Sequence, residues 1–523
     1  MNQSSQRRLW YFVLAVSIVL LLLLGGFLFW GYYGGNRIDV ARLTRKDHPV
    51  FQGPHRPDGT IDYLSNLTKH ASRDVTTRNN VAVALLTAVP DDFYPHDQNR
   101  KQSFASLLEI ETPVRTPIPS IAKVARNLGS PVANQPSLAQ LQQTYINLLG
   151  KPVDSGHELT DSEIEIAKLF LTECSLGIDA FALKLPHCTQ CYYPPTAIVP
   201  LDDLWMDVAS PVVEGLYVQP LLTMRANLRL SQGQLPEAWE DIRSLFLLGN
   251  AIARHCGTAE YTYGRSIRTL AIRQTLNLLN HPGLDHELLV TIEADLETLV
   301  TSETYVRQMD FHGRLTVARF LDEVFATGQC HLLATKIRHD QFSRIARMPG
   351  WIDSTWVMNL LNELIDDLIV ELQSKNLTQS LLRTRQILSR FRAETEPATT
   401  MLYSPKKEAS KATARYLASV ISIENAMEFH CDAIGWERLL WTGIAIKRFE
   451  FTSQRLPTSA SELTVIDPNI LLDPFTGRAW KWENCKGKVI LTGHGRDGIK
   501  EQRSTSPNAS DDHRLVVPAH GPL

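Results

Sequence analysis

The chain has 523 residues, a formal net charge of −3 and a sequence pI of about 6.6. This balance lacks the excess of basic residues that nucleic-acid-binding proteins carry, so no nucleic-acid partner is expected. Seven cysteines are too few for a disulfide scaffold of this length, and their odd number leaves one thiol without an intrachain partner. The length is sufficient for one large hydrophobic core or for about two to three smaller ones.

The first predicted element is an uncharged apolar run that begins at Leu9 and ends at Phe29. About 20 apolar residues are enough to cross a bilayer as a helix, and aromatic residues are enriched at both headgroup levels. The sequence therefore predicts a transmembrane anchor over residues 9–33. Bulky Trp30 and Tyr32 stand where a signal peptidase prefers small residues, which favours an uncleaved anchor.

Basic residues flank the predicted anchor on both sides. Arg7 and Arg8 precede it, and four basic residues follow within residues 37–46. Charge alone therefore does not decide the orientation. A single early anchor with a short tail usually behaves as an uncleaved signal. We therefore expect residues 1–8 in the cytoplasm and the large domain outside.

The remainder of the chain indicates a mainly α protein. Residues 34–75 are polar and interrupted by proline and glycine, which predicts a stalk. Residues 76–440 carry apolar residues at helical spacing and predict one large, irregular domain of helical hairpins. Helices are expected over residues 159–183, 216–253 as a hairpin, 288–300, 305–326, 355–373, 378–391 and 409–451.

The clearest predicted element is the helical hairpin over residues 216–253. Gly233 can end its first helix in a left-handed conformation, and Pro236 suits the first turn of the second helix. The spacing of Gly233 and Ala238 is tetratricopeptide-like, but the pattern does not return at the period of about 34 residues that a repeat array requires. The sequence therefore predicts a single such hairpin.

A CxxC motif, Cys188 and Cys191, lies in a proline-rich segment that is expected to be a loop. On the outer side of a membrane this pair predicts a local disulfide, whereas in a reducing compartment it would be half of a thiolate metal site. A soft-metal site assembled from several His–Cys pairs is a third interpretation. Such adjacent pairs occupy residues 187–188, 255–256, 330–331 and 430–431.

Other chemical motifs are weak or missing. The sequence has no GxSxG, HExxH or Walker motif, so no catalytic residue is predicted. A GxGxxG match begins at Gly493 but lacks the following helix of a dinucleotide site, so no organic cofactor is expected. Glu363, Asp367 and Glu371 share one face of a predicted helix, and a solvated face is favoured over a carboxylate site.

The C-terminal part changes character after the long helical region. Residues 441–500 contain a helix end, an Asp-Pro turn at Asp473 and two strand-like runs over residues 478–482 and 488–492. This order predicts a small α+β module with a short β-hairpin. Residues 501–523 are rich in small polar residues and are expected to form a mobile tail with a candidate last strand.

Two family resemblances follow from these segments. The module from Lys447, with its Leu-Pro, Asp-Pro and Gly-x-Gly-x-Asp-Gly pattern, resembles the C-terminal module of the major pseudopilin of type II secretion. The resemblance implies calcium as a cofactor, with Asp497, Asp511 and Asp512 at the matching positions. The pseudopilin N-terminal peptidase site is absent, so the chain is not itself expected to be a pseudopilin.

The second resemblance covers residues 77–518. The segments RNNVAVALL, LRLSQGQLPEAWEDI and LNELIDDL resemble recurring segments of an uncharacterised family of single-pass, helix-rich bacterial membrane proteins. The resemblance implies a bacterial inner-membrane protein with a periplasmic domain, and it implies no activity.

Three functions are compatible with these observations. The first is a membrane-anchored, exported helical scaffold that binds protein partners at the envelope. The second is an exported enzyme with a His, carboxylate or metal site in a helical cleft. The third is an accessory component of a pilus-like or secretion assembly that docks through the C-terminal module.

Overall fold

Helices make up most of the protein in the computed structural model, which confirms the mainly α class. The structure describes residues 22, 38–89, 118–119, 161–192, 210–254, 258–300, 306, 308–327, 352–396, 405–420, 426–465, 467–485, 487–493 and 513–519. Among these residues, no helix has the length and apolar character needed to cross a membrane. The predicted anchor over residues 9–33 lies outside the described residues, apart from Leu22.

The α-helices are α1 (Tyr63–Ala71), α2 (Val81–Ala88), α3 (Asp161–Ala182), α4 (Ser210–Ser231), α5 (Leu235–Ala253), α6 (Thr258–Leu279), α7 (His286–Leu299), α8 (Arg314–Thr327), α9 (Ser354–Leu372), α10 (Leu377–Glu394), α11 (Pro405–Val420) and α12 (Ala426–Ser453). The strands are β1 (Lys481–Cys485), β2 (Lys488–Thr492) and β3 (Arg514–Pro518). A π-helical turn, Gln308–Gly313, precedes α8. Short 3-10 helices occupy Val40–Arg42, Pro49–Phe51, Leu185–His187, Ala460–Glu462 and Pro468–Leu471.

The chain forms two compact units, so the single helical domain predicted over residues 76–440 is divided. The first unit comprises Met1–Leu67, Met309–Val370 and Arg383–Asn425, and the second comprises Thr68–Gln308, Glu371–Leu382 and Ala426–Leu523. Helical periodicity shows which face of a helix is apolar but not which distant segment covers that face. The division was therefore not visible in the sequence.

The first unit differs from the predicted stalk over residues 34–75, because the described part of this segment folds. Val50, Phe51 and Tyr63, which belong to the first unit, are buried. Pro49 occupies the first turn of a 3-10 helix, whose N-terminus is capped by the His48 side chain. Proline and glycine therefore shape tight turns here, and the apolar residues between them lack the even spacing that would have predicted burial.

Polar contacts fasten the same segment to helix α9. The Thr44 backbone N–H donates to Asn359 Oδ1 at 2.8 Å, and the Arg45 guanidinium donates to Asp366 Oδ2 at 2.6 Å. Asp366 also pairs with Arg314, whose side chain is fully buried. The two guanidiniums outweigh burial, so the pKa of Asp366 falls below its usual range. Thr44, Arg45 and Arg314 therefore cover one polar face of α9.

The acidic face predicted for Glu363, Asp367 and Glu371 lies on α9 and is mostly solvated. Glu363 and Asp367 are exposed, as expected for the outer face of an amphipathic helix. Glu371, the third residue of the predicted set, is buried. The three carboxylates therefore differ in environment.

The second unit contains the predicted hairpin, formed by α4 and α5. Gly233 has a φ of +72°, and the Gln234 N–H donates to the Arg229 carbonyl at 2.9 Å, which closes the end of α4. Pro236 lies in the first turn of α5. The apolar side of α5, including Trp239 and Phe246, is fully buried. The hairpin was therefore predicted correctly, with α4 beginning a few residues earlier.

Helix α6 was not predicted from the sequence. Among the contacts between helices at the described glycines of the second unit, its contact with α5 is the closest. A Cβ atom added at Gly264 would lie 2.5 Å from the Ala253 backbone nitrogen, and one added at Gly249 would lie 2.7 Å from the Gly264 carbonyl oxygen. Only glycine permits α5 and α6 to approach this closely.

The C-terminal hairpin expected from the sequence is present, and a third strand extends it. The sheet is antiparallel with the order β1-β2-β3. Val489, Leu491 and Leu515 on one face belong to the same core as α12. Buried Lys447 on α12 donates to Glu450 Oε2 and to the Pro518 carbonyl, both at 2.9 Å. The sheet is thus part of the second unit and is not a separate module.

Candidate functional site on helix α3

The inner side of α3 is fixed in the core of the second unit. Ala167, Phe170, Cys174 and Ile178 are buried at three- and four-residue spacing, as an amphipathic helix requires. Gly177 allows close contact, because a Cβ there would lie 2.6 Å from Ile118 Cγ1. This packing determines which side of α3 faces outward.

The outer side of α3 carries three exposed leucines at seven-residue spacing. Leu169, Leu176 and Leu183 are 38%, 74% and 77% exposed. Leu183 lies one residue beyond the helix, and its N–H still donates to the Asp179 carbonyl at 2.9 Å, which continues the helical geometry. Residues seven apart project from nearly the same side of a helix, so the leucines form one stripe, called the leucine stripe below.

The polar residues beside the leucine stripe are held by local contacts. Lys168 pairs with Glu165 one helical turn away at 2.8 Å. The hydroxyl of Thr172 donates to the Lys168 carbonyl at 2.7 Å, and that of Ser175 donates to the Thr172 carbonyl at 3.0 Å. The helix therefore satisfies these polar groups locally, while Leu176 and Leu183 remain mostly exposed and Leu169 remains partly exposed.

An ion network links α3 to α4 and α5; it is buried at Arg225 and Asp241 and exposed at Asp179. Arg225 on α4 pairs with Asp179 on α3 and, at 2.6 Å, with Asp241 on α5. Arg229 donates to the other Asp241 oxygen at 2.7 Å. Burial raises the pKa of Asp241, and the guanidiniums of Arg225 and Arg229 partly oppose that shift. The network therefore connects the helix that carries the stripe to its two neighbours.

The CxxC residues lie just after α3 and are built into the core. Cys188 and Cys191 are both buried, and Cys188 Sγ donates to the Lys184 carbonyl at 3.3 Å. Burial raises the pKa of the Cys188 thiol to about 11, which disfavours the thiolate that a metal site needs. Asn80 fixes the segment by hydrogen bonds to both backbone groups of Tyr192. The disulfide stays a prediction.

The other predicted ligands are not brought together by the residues that the structure describes. Asp497, Asp511 and Asp512, the calcium candidates, lie outside the described residues, as do the His–Cys pairs at 255–256 and 330–331. In the described part of the chain no group of three or more His, Cys, Asp or Glu side chains has a metal-binding arrangement.

A polar seam between α6 and α12 was not anticipated from the sequence. Arg265 donates to the Phe429 carbonyl, and Arg268 pairs with Glu437 at 2.7 Å. Arg273 lies over the Trp436 ring, with its guanidinium carbon 4.3 Å from the ring centroid. These contacts bind α12 along the length of α6.

Two histidines border the polar seam. Dense packing, with a smaller contribution from the Arg265 charge, lowers the pKa of His430 to about 4. His513, at the start of β3, is buried against the Trp436 and Trp480 rings. Its Nε2 donates to the Asp432 carbonyl at 3.0 Å, because a carbonyl can only accept. The His513 ring therefore joins the start of β3 to α12.

No protein-family model, curated protein or solved structure matches the chain. The candidate site therefore depends on its own geometry. The leucine stripe was missed from the sequence although a signal was present, namely three leucines at residues 169, 176 and 183 within one predicted helix. That helix also has apolar residues beside each of them, so spacing alone did not show which leucines would remain outside.

Proposed function

We propose that this protein is a membrane-anchored helical scaffold that binds another protein through the leucine stripe of α3. The observation that carries the proposal is the exposure of Leu169, Leu176 and Leu183 on one line of a helix whose opposite side is fully packed. The predicted anchor over residues 9–33 supplies the membrane attachment and remains a prediction.

The physical argument concerns the cost of exposed apolar surface. Burying a leucine fully is worth about 1.5–3 kcal/mol. Leu176 and Leu183, at 74% and 77% exposure, therefore lose most of that stabilisation, and Leu169, at 38%, loses a smaller part of it. Single exposed apolar residues are ordinary, whereas a contiguous apolar patch rimmed by polar groups marks an interaction site. Here the three leucines are aligned on one side of α3, and Lys168 and Glu173 lie beside them.

The proposal is tested by a photo-crosslinking amino acid placed at position 176 of the full chain, in cells that produce it. We expect a protein adduct at this position that Leu183→Gln on the same chain reduces at least fivefold. Position 382 is the matched control, because Leu382 is also an exposed helical leucine, at 55%, and has no aligned leucine neighbours.

The contradicting outcome is equal cross-linking at positions 176 and 382, or none at either. Correct folding of each variant is checked by far-ultraviolet circular dichroism, since a misfolded chain would lose adducts for another reason. An adduct at position 176 that Leu183→Gln leaves unchanged would also contradict a continuous stripe.

A further inference from the structure

We infer that the end of α10 and the start of α11 lie against the bilayer that holds the predicted anchor, with Arg390, Arg392 and Lys407 on anionic phospholipid headgroups. The inference rests on the membrane attachment of the proposed function and is independent of the leucine stripe. It depends on the short tether between the anchor and the first unit, on the contacts that place these residues near the tether, and on their charge.

The tether between the predicted anchor and the first unit is short. Ile38 lies five residues after residue 33, and an extended chain spans at most about 3.6 Å per residue, so these two positions are at most about 18 Å apart. Asp39 follows, and its N–H donates to Thr355 Oγ1 in the first turn of α9 at 2.9 Å. An anchored chain therefore keeps the start of α9 close to the membrane surface.

Contacts bring α11 and the end of α10 to the same place. The Asp353 N–H, immediately before α9, donates to Ser410 Oγ on α11 at 2.8 Å. The next residue of α11, Lys411, donates through Nζ to the Glu396 carbonyl at 3.1 Å, two residues after α10 ends. Arg415 on α11 pairs with the Glu396 carboxylate at 2.7 Å. The start of α9, helix α11 and the end of α10 are therefore neighbours at the tethered end of the first unit.

This end of the first unit carries surplus positive charge. Residues 383–425 contain eight basic and four acidic residues, although the whole chain has a net charge of −3. Arg390, Arg392 and Lys407 are exposed, and in the part of the chain that the structure describes neither Arg390 nor Lys407 has a carboxylate partner. Helix α10 has four arginines and one acidic residue, Glu394. Such clusters on a helix at a membrane surface are typical of sites for anionic lipids.

The expected contact is electrostatic, because the apolar side of this end of α10 is already used by the fold. Leu388 and Phe391 are buried, whereas Ser389 and Ala393 are exposed between the arginines. The basic residues can therefore reach headgroups without insertion of the helix into the bilayer. Charge of this kind would also attract an acidic protein or a nucleic acid. The tether favours lipid, since it holds the basic residues at a bilayer whether or not another molecule is present.

The inference is tested with the full chain reconstituted in vesicles of phosphatidylcholine alone and of an equal mixture with phosphatidylglycerol. A fluorophore is attached at Ser389→Cys, with Cys256→Ser, Cys330→Ser and Cys485→Ser as the background, because the other four cysteines are buried. A membrane-impermeant maleimide added after reconstitution labels only chains whose large domain is outside. Quenching by a lipid with a nitroxide on its headgroup then reports how close α10 lies to the membrane surface.

We expect at least threefold more quenching in the mixed vesicles than in phosphatidylcholine alone, and loss of this difference in about 1 M NaCl, where the screening length falls to about 3 Å. Arg390→Glu with Lys407→Glu should also abolish the difference. The matched control is Lys375→Glu with Arg478→Glu, which changes the net charge equally at exposed residues of the second unit and should leave the difference intact. Equal quenching of the unaltered chain in both kinds of vesicle would overturn the inference.

Extraction with alkaline carbonate separates failure of this inference from failure of the proposed function. If the chain stays in the vesicles but quenching does not depend on phosphatidylglycerol, the anchor stands and the lipid contact is overturned. If the chain is extracted, the anchor of the proposed function fails and the inference fails with it.

A duplex DNA oligonucleotide and polyglutamate serve as soluble competitors in vesicles of phosphatidylcholine alone. If the unaltered chain binds either of them, Arg390→Glu with Lys407→Glu removes that binding and phosphatidylglycerol has no effect on quenching, the basic residues serve an acidic macromolecule. That outcome would overturn the assignment to lipid.

Discussion

Helices α3 and α6 each have 22 residues and belong to the same unit, but they use their side chains in opposite ways. Helix α6 buries arginines, since Arg265 and Arg268 are engaged with α12. Helix α3 leaves Leu169, Leu176 and Leu183 in water. Charged residues of α6 therefore contact the rest of the fold, whereas apolar residues of α3 are exposed to solvent. The proposed docking function rests on these exposed leucines.

The largest expected effect tests the close contact of α6. Gly264→Ala would place a methyl group 2.5 Å from the Ala253 backbone nitrogen, so α5 and α6 must separate. Overpacking of this kind typically costs about 1–3 kcal/mol, and the upper end is expected because the obstacle is backbone. Urea unfolding measures it. Gly487→Ala is the control, because no atom lies within 4 Å of the added Cβ at that position. Its positive φ adds some backbone strain. Equal stability of Gly264→Ala and the parent protein would contradict the contact.

The next effect tests whether the arginines of α6 stabilise the fold. Arg268→Met removes the partner of Glu437 at a place where both side chains are more than four-fifths buried. Breaking such a pair is expected to cost about 2 kcal/mol, less than for a fully buried pair. The matched control is Lys481→Met, which breaks the exposed pair with Glu483 and should change the free energy of unfolding by less than about 0.5 kcal/mol.

The seam also predicts a pH dependence through His430. Its pKa is lowered to about 4 in the folded protein from 6.5, so the unfolded chain takes up the proton at higher pH. The stability contributed by the neutral ring is complete above pH 6.5 and is lost as the pH falls toward 4. We expect a loss of about 2 kcal/mol, allowing for partial exposure of the ring.

His430→Gln should remove this part of the acid sensitivity. Burial also lowers the pKa of His281, but that residue is present in both proteins, so the difference between their profiles isolates His430. Parallel stability profiles of the two proteins between pH 4 and pH 7 would contradict a buried neutral ring.

A thiol-labelling experiment tests the two sides of α3 directly. Cys174 is fully buried on the inner side, and burial raises the pKa of its thiol to about 12. In the background with Cys256, Cys330 and Cys485 replaced by serine, Leu176→Cys should react at least 100-fold faster than Cys174. Comparable rates would mean that α3 is turned differently or loosely packed.

The smallest expected effect on stability comes from the leucines. Leu176→Gln should change the free energy of unfolding by less than about 0.5 kcal/mol, because the side chain is 74% exposed. Binding of another protein through the leucine stripe should fall strongly in the same variant. A loss of stability similar to that of Arg268→Met would show that the leucine serves the fold and would remove the contrast between α3 and α6.

The sequence predicted elements whose signals are local. The hairpin of α4 and α5 follows from Gly233 and Pro236. Strand β2 follows from the strand-like run over residues 488–492, whereas β1 begins three residues later than the run predicted over residues 478–482. Helix α6 was missed because its arginines, threonines and glutamine suggest a solvated segment. Their burial depends on α12, which lies more than 150 residues later in the chain. Burial of residues 38–67 was missed for the same reason, since α9 supplies the contacts.

The candidate site was only partly visible from the sequence. The spacing of Leu169, Leu176 and Leu183 could be read directly, but their exposure depends on which side of α3 meets Ile118 and α4. Cys188 and Cys191 were candidate site residues because CxxC motifs often form disulfides or bind metals. The surroundings of Cys188 instead raise the pKa of its thiol, and a sequence motif does not contain that information.

The most direct test of the central claim is the yield of photo-crosslinking at position 176 relative to position 382 in intact cells. Both residues are exposed leucines on helices, so the ratio reports the leucine stripe and not exposure alone. We predict a ratio of at least ten, which Leu183→Gln on the same chain lowers toward one. A ratio of about one in the unaltered chain would contradict the assignment of α3 as a docking surface.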